Sequence, residues 1–451
     1  MQKKGLNPHF PIDPARWPFP YAWMVAIVGT LGMIVTVPST PPGFAPFVDP
    51  VMNDLGISRS RLTFAYTWGT IFAGLAIPFG GFWIDRLGVR VTGIIGFAGF
   101  GLSMLALGSP ERMLRLFGAV GIGSETATFV FFFGIFFLLR FWGLGITMTV
   151  CRSMVFRWFV RWRSLVAGIN GMILSLSFSS APFLLNGLVV FFGWKETWLV
   201  LGVVSSIGFV VVAYLFFRES PEESGLEVDS PAKKVGLDAR APETETGMVD
   251  RDYTAFEAMK TLAFWLMLSG LSMNAFIGTG TSFHIVSLAA DLGDFNREAA
   301  LKLLLYVGFF NVITSLSLGF VAEKIRLRYL LFSMMIGQTL SLLGLLAFRE
   351  EWGLWAYALG SGCAWGIFGI LVSVPWPRFF GRKHLGSING IVTGAVVVVS
   401  AIAPFAFGIS LEQTGTYQFA VFGCLGLTPI LAILGLLARN PRRSRKQSKD
   451  S

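Results

Sequence analysis

Apolar and polar positions along the chain separate into twelve long apolar runs divided by short polar turns. The first six occupy residues 21–36, 62–84, 91–107, 129–150, 165–192 and 197–217. The second six occupy 261–289, 301–322, 329–348, 354–375, 385–411 and 417–438. A helix of about twenty apolar residues crosses the hydrocarbon core of a bilayer, and lipid admits only backbones that satisfy their own hydrogen bonds. The pattern therefore predicts an all-α membrane protein with twelve transmembrane helices. The first run is short by this measure and continues into Pro38-Ser39-Thr40-Pro41-Pro42-Gly43-Phe44. A proline-broken helix lining an entrance and a helix that simply ends are both open there. No small-residue cleavage site follows the run, so it reads as the first span rather than a signal peptide.

The longest polar stretch begins at Arg218 and includes the acidic run Glu219-Ser220-Pro221-Glu222-Glu223. It has too few apolar residues to bury a core. It predicts a cytoplasmic linker, residues 218–255, between two six-helix bundles at 1–217 and 256–451. Composition supports the class: of 451 residues, 54% are hydrophobic and 14% charged, against roughly a quarter charged in soluble domains. The net charge of +10 suits nucleic acid less well than a membrane surface once its distribution is considered. With a cytoplasmic N-terminus, the inner segments hold 25 Lys and Arg and the outer loops 8, the bias the positive-inside rule expects. Both termini are then cytoplasmic in a cell (inner) membrane protein, and the basic tail Arg442-Arg443-Ser444-Arg445-Lys446 lies near anionic lipid headgroups. Cys151, Cys363 and Cys424 fall in or beside apolar runs, a usage that fits small packed hydrophobes better than disulfides or a metal site. The expected partners are a small-molecule substrate and membrane lipid, with no nucleic acid and no cofactor. Nothing in the pattern requires more than a monomer.

The two sets of runs echo one another. Gly81-Phe82-Trp83-Ile84-Asp85-Arg86-Leu87-Gly88-Val89-Arg90 separates runs two and three. Gly319-Phe320-Val321-Ala322-Glu323-Lys324-Ile325-Arg326-Leu327-Arg328 separates runs eight and nine. Gly168-Ile169-Asn170-Gly171 opens run five and Ser387-Ile388-Asn389-Gly390 opens run eleven, each after a basic aromatic turn. Trp142-Gly143 and Trp365-Gly366 occupy matching places in runs four and ten. The offset falls from 238 to 219, which places the first half's extra residues in an enlarged outer loop at 108–126. Three echoes in one order indicate a duplication, the architecture of many carriers.

The decade 81–90 resembles the signature loop of the major facilitator superfamily, and Arg140-Phe141-Trp142-Gly143-Leu144-Gly145 resembles that superfamily's motif in the fourth span. The resemblance covers nearly the whole chain. It implies the major facilitator fold: two six-helix bundles around a central cavity that opens alternately to either side. It also implies a gating role for Gly81, Asp85, Arg86, Gly88 and Arg90, and for Glu323 in the second copy. Asp85 would latch the cytoplasmic side by meeting a neighbouring helix end and basic groups; a turn that only sets topology is the alternative. Trp158-Phe159-Val160-Arg161-Trp162-Arg163-Ser164-Leu165-Val166-Ala167-Gly168-Ile169 is similar to the fifth-span signature of monocarboxylate transporters and oxalate/formate-type exchangers. Those relatives often carry an aspartate and an arginine in span eight and a lysine late in span one. Asn311, Ser315 and Pro42 stand at or near those places here.

Arg140 lies midway through the fourth run, where a charged residue costs roughly 2.5–3.5 kcal/mol on an insertion scale. No Asp or Glu falls inside any run. An unpaired guanidinium at that depth suits an organic carboxylate, which it binds through two parallel hydrogen bonds. The other possibility is that Arg140 bonds to backbone carbonyls and organises runs one, two and four. Tyr66, Asn170, His284, Asn311 and Asn389 are the further substrate-contact candidates, although residues of these types in a span more often serve as packing or interhelical hydrogen-bonding residues. His284 could also titrate near neutrality. The spans offer no catalytic cluster, so an enzyme is not expected. The leading expectation is a secondary active carrier of a small organic anion such as a monocarboxylate, with proton coupling open. A carrier of neutral or hydrophobic compounds and a non-transporting membrane sensor are the alternatives.

Overall fold

The computed structural model describes residue 7 and residues 9–119, 123–226, 252–293, 297–322 and 324–440. Among them are twelve helices long and apolar enough to cross a membrane. In chain order these are α1 Tyr21–Ser39, α2 Arg61–Leu87, α3 Val89–Leu107, α4 Glu125–Trp158, α5 Arg163–Phe192 and α6 Trp194–Phe216. They continue as α7 Leu262–Phe283, α8 Lys302–Val321, α9 Leu327–Leu346, α10 Glu351–Phe380, α11 Leu385–Thr414 and α12 Gln418–Gly435. No strand occurs among the described residues. Each apolar run therefore forms one span, and the protein is an integral multi-pass membrane protein.

The helices end where local chemistry requires it. Gly88 stops α2 with φ +82°, a conformation that side chains resist, and its N–H still reaches the Ile84 carbonyl. Beyond α1 the proline-rich stretch forms short helical turns and then a helix at Val48–Leu55, because proline removes the donors a continuous helix needs. The segment expected as an enlarged outer loop contains a helix at Pro110–Ala119. Within α4, residues Arg140–Thr147 form a π-helical stretch, a wider turn often found at functional places. The later part of α5 exposes Phe183, Val190 and Phe191 almost fully, as expected for a surface that meets hydrocarbon instead of water.

The chain forms two compact units. The first comprises Met1–Val160, Ser177–Ala239 and Leu385–Gly394, with an aromatic core that includes Phe44, Phe47, Phe132, Phe136 and Trp198. The second comprises Arg161–Leu176, Arg240–His384 and Ala395–Ser451, with Leu342, Phe348, Tyr357 and Phe407 at its core. The opening turns of α5 and α11 thus join the unit built mainly from the other half of the sequence. Glycine makes both attachments close. In the first unit a Cβ on Gly81 would lie 2.5 Å from the Gly386 carbonyl and 3.0 Å from Cα of Gly390. In the second, a Cβ on Gly319 would lie 3.3 Å from Cα of Gly168. The duplicated glycines read from the sequence therefore serve as paired helix crossings, where the missing side chain lets backbones approach.

Candidate functional site

Two groups of polar residues stand out in the first unit. The first lies where α2 ends and α11 begins. Asp85, in the last turn of α2, accepts hydrogen bonds from Arg157 Nη2 at 2.9 Å and from the Gly386 N–H at 3.0 Å through Oδ1. Its Oδ2 accepts from the Ser387 N–H at 2.7 Å and from the Ser387 hydroxyl. Gly386 and Ser387 belong to the first turn of α11, whose N–H groups have no partner within the helix. Glu219, just beyond α6, does the same for α3 by accepting from the Val89 N–H at 2.6 Å, and it pairs with Arg157 Nη1. Two carboxylates thus face one guanidinium and two helix N-termini, each N-terminus equivalent to about half a positive charge. The charges nearly balance in a region where Arg157 keeps only 4% and Asp85 9% of side-chain exposure. Such a cluster holds firmly when every member is present and is costly when one is removed.

The remaining residues of the decade 81–90 do different work. Gly81 permits the crossing with α11, and a Cβ on Gly88 would meet Oε2 of Glu219 at 2.8 Å. Arg90 turns away from Asp85. It donates to the carbonyls of Tyr214 and Asn7 and stacks over the Tyr214 ring, tying the start of α3 to the end of α6. Arg86 is exposed. Glu323 lies outside the described residues.

The second group surrounds Arg140 at the start of the π-helical stretch. Arg140 is 5% exposed, and its guanidinium lies over the Tyr66 ring, 5.0 Å from the centroid. No carboxylate, carbonyl or hydroxyl among the described residues accepts a hydrogen bond from it, and Nε is buried without a partner. The interhelical hydrogen bonds that a structural role would supply are therefore absent among the described residues. The Tyr66 hydroxyl is also buried and unpaired. Thr70, one turn further along the same side of α2, has a buried unpaired hydroxyl as well.

The other candidates have partners of their own within each unit. Asn389 donates to the Ser153 hydroxyl at 3.1 Å in the first unit. In the second unit Asn311 donates to Ser175 at 2.7 Å and accepts from Ser315 at 3.1 Å, while Asn170 is buried at the start of α5. His284 occupies the break after α7, with Nε2 2.9 Å from the Pro404 carbonyl and Nδ1 3.1 Å from the Tyr417 hydroxyl. A carbonyl only accepts, so in the neutral ring Nε2 carries the proton and Tyr417 donates to Nδ1.

A profile of the Major Facilitator Superfamily matches residues 22–404. The chain belongs to this superfamily. The superfamily's members are transporters rather than enzymes, and this protein is a secondary carrier. Among curated relatives, the oxalate:formate antiporter of Oxalobacter formigenes is 22% identical over 420 residues, spanning 89% of this chain and 90% of its own. The probable sulfoacetate transporter of Cupriavidus necator is 21% identical over 394 residues, spanning 83% and 84%. The crystal structure of the Escherichia coli fucose:proton symporter has the same superfamily fold, with a TM-score of 0.64 at 12% identity over 93% of this chain and 99% of the symporter.

Sequence reasoning singled out Asp85 but missed Glu219 as a partner, assigning it wholly to the linker. The available signal was its position as the first acid after α6, in a chain whose spans offer few acids to pair with Arg157. The π-helical stretch was also missed, since a single extra residue per turn leaves hydropathy unchanged.

Proposed function

We propose that this carrier moves a small organic anion by alternating access, with Arg140 as the anion-binding group. The observation that carries the reading is a guanidinium buried in a span with no acceptor among the described residues, beside two unpaired hydroxyls. A charge in that position is costly, and a carboxylate or sulfonate offers the paired acceptors that offset the cost. The Tyr66 face stacks the guanidinium and its hydroxyl is free to donate to the same anion. Two curated relatives point the same way, since their names describe carriage of oxalate, formate and sulfoacetate.

In this reading the six helices of 1–217 and those of 256–451 work as two halves joined by the segment 218–255, with both termini cytoplasmic in the inner membrane. The Asp85–Arg157–Glu219 cluster is the gate: Asp85 holds the first turn of α11 in one state and releases it in the other.

The test is uptake into proteoliposomes of radiolabelled acetate, oxalate, sulfoacetate, a neutral sugar and an organic cation, with and without a pH gradient. Saturable uptake of at least one anion, lost in Arg140→Gln, is the expected result. Cation or sugar uptake unaffected by Arg140→Gln, with no anion uptake, overturns the reading. The pH-gradient arm decides whether protons are coupled.

A further inference from the structure

The π-helical stretch in α4 has a geometric effect on the residues that follow it. At about 100° per residue, twelve α-helical steps would put Arg152 roughly 120° around the axis from Arg140. A π-bulge absorbs one extra residue, so the chain between them makes eleven steps and Arg152 returns to within about 20° of Arg140, roughly 16 Å along the axis. Contacts within the first unit agree with this orientation. Cys151 and Val155 pack on Gly32 and Gly29 of α1, and Val150 packs on Gly93 of α3. Ser153 and Arg157 meet Asn389 and Asp85. Those neighbours use the other faces of α4, and Arg152 occupies the one they leave, half-buried.

Arg152 shares a second property with Arg140: no hydrogen bond or ion pair reaches it among the described residues. The other buried arginines of the first unit are all held. Arg157 pairs with Asp85 and Glu219, Arg90 donates to two carbonyls, and Arg218 donates to the carbonyls of Phe217 and Ile12. Two unpaired guanidinia on one face of one helix thus contrast with every buried arginine around them.

We propose that Arg152 is a second anion-binding residue of the carrier, a station that the anion occupies after Arg140 on its way toward the end of α4 that bears Arg157. A small carboxylate or sulfonate is far too short to bridge roughly 16 Å, so the two sites are filled in sequence. The π-helical stretch is what sets them on one side of the helix. This inference rests on the organic-anion reading of Arg140.

The experiment compares wild type, Arg140→Gln, Arg152→Gln and Arg152→Lys in proteoliposomes, using whichever of acetate, oxalate or sulfoacetate the wild type carries. Equilibrium binding of the same anion to purified carrier is measured alongside. Arg152→Gln is expected to lower kcat about tenfold or more while equilibrium binding at Arg140 changes less than about threefold. Arg152→Lys should recover at least a third of the lost rate, and both variants should keep the wild-type thermal midpoint because no native partner is lost. Unchanged kcat in Arg152→Gln overturns the proposal, as does a lysine variant as slow as the glutamine one. If the wild type carries no anion, the reading of Arg140 itself fails. If Arg140→Gln abolishes uptake and Arg152→Gln leaves kcat unchanged, only the second station is lost.

Discussion

Asp85 and Ser387 stand 302 positions apart in the sequence, yet one carboxylate oxygen of the first accepts both the backbone N–H and the hydroxyl of the second. The geometry is that of a helix N-cap supplied from a distant part of the chain. An ordinary cap belongs to its own helix, so it forms and breaks with that helix. Here α11 borrows its cap from α2, and the cap can be withdrawn while both helices stay intact.

Asp85→Asn should therefore affect cycling more than folding. The carboxamide keeps one acceptor oxygen but loses the charge that Arg157 and the α11 N-terminus favour, a loss of about 1–3 kcal/mol at this junction. Turnover in proteoliposomes is expected to change at least fivefold, with labelling of a cysteine placed at His384, half-buried just before α11, increased. Identical turnover and labelling would show that Asp85 does no gating. Ser387→Ala, which removes only the hydroxyl bond, should produce a smaller change in the same direction.

Arg157 is more costly to lose. Arg157→Leu leaves Asp85 and Glu219 facing each other with no cation between them, and breaking a buried pair this way costs about 3–5 kcal/mol. A lowered thermal midpoint in detergent is the expected result. Adding Glu219→Gln to Arg157→Leu should recover part of the loss, because one of the two uncompensated charges is gone. A double variant no more stable than the single one would place the stabilisation elsewhere.

Glycine at 81 answers to sterics alone. A methyl there meets backbone atoms of Gly386 and Gly390, which cannot rotate aside, so Gly81→Ala should cost about 1–3 kcal/mol as overpacking does. Gly134→Ala in α4, where an added Cβ meets nothing within 4 Å, is the control and should be near neutral. Thermal midpoints of the two variants, read together, check the crossing.

The exposed end near Pro110–Ala119 supplies a pH test. Lys195 bonds to Glu111 and also pairs with Asp54 at 2.6 Å, and its hydrogen bond holds the Glu111 carboxyl below the usual glutamate value. A depressed acid contributes stability above its unfolded pKa and loses it as pH falls through the folded one. The thermal midpoint of wild type minus that of Lys195→Gln should be positive at pH 6 and shrink below about pH 4, where glutamate starts to protonate when unfolded. The exposure of the pair keeps the difference small. A difference independent of pH would exclude it.

The twelve spans were legible because hydropathy is a local property, and each run mapped to one helix. Their limits were less so: the fourth run at 129–150 becomes a helix at Glu125–Trp158. Arg152 and Arg157 lie within that extension, Arg157 buried against Asp85 and Arg152 half-buried, and hydropathy scores both as if exposed to lipid. Asp85 stood out because a charged decade interrupts apolar sequence, and Arg140 because it is charged within a run. Their surroundings were not legible, since Ser387 and Glu219 reach Asp85 and Arg157 only after folding. Arg140 reads equally as a hydrogen-bonding residue or a ligand residue from sequence, because its ring contact with Tyr66 depends on a helix packing that hydropathy does not report. The partners of His284, the Pro404 carbonyl and the Tyr417 hydroxyl, lie more than a hundred positions away and were likewise hidden from the sequence.

The wide turn at Arg140–Thr147 also makes α4 tolerant of one change in length. Dropping one codon within it would remove the residue that the bulge absorbs and leave ordinary α-helix, with Cys151 still on Gly32, Ser153 still on Asn389 and Arg157 still on Asp85. Dropping a codon from the regular helix that follows would instead rotate everything beyond it by about 100° and break those contacts together. Length variation in α4 among descendants of this gene should therefore be confined to this stretch.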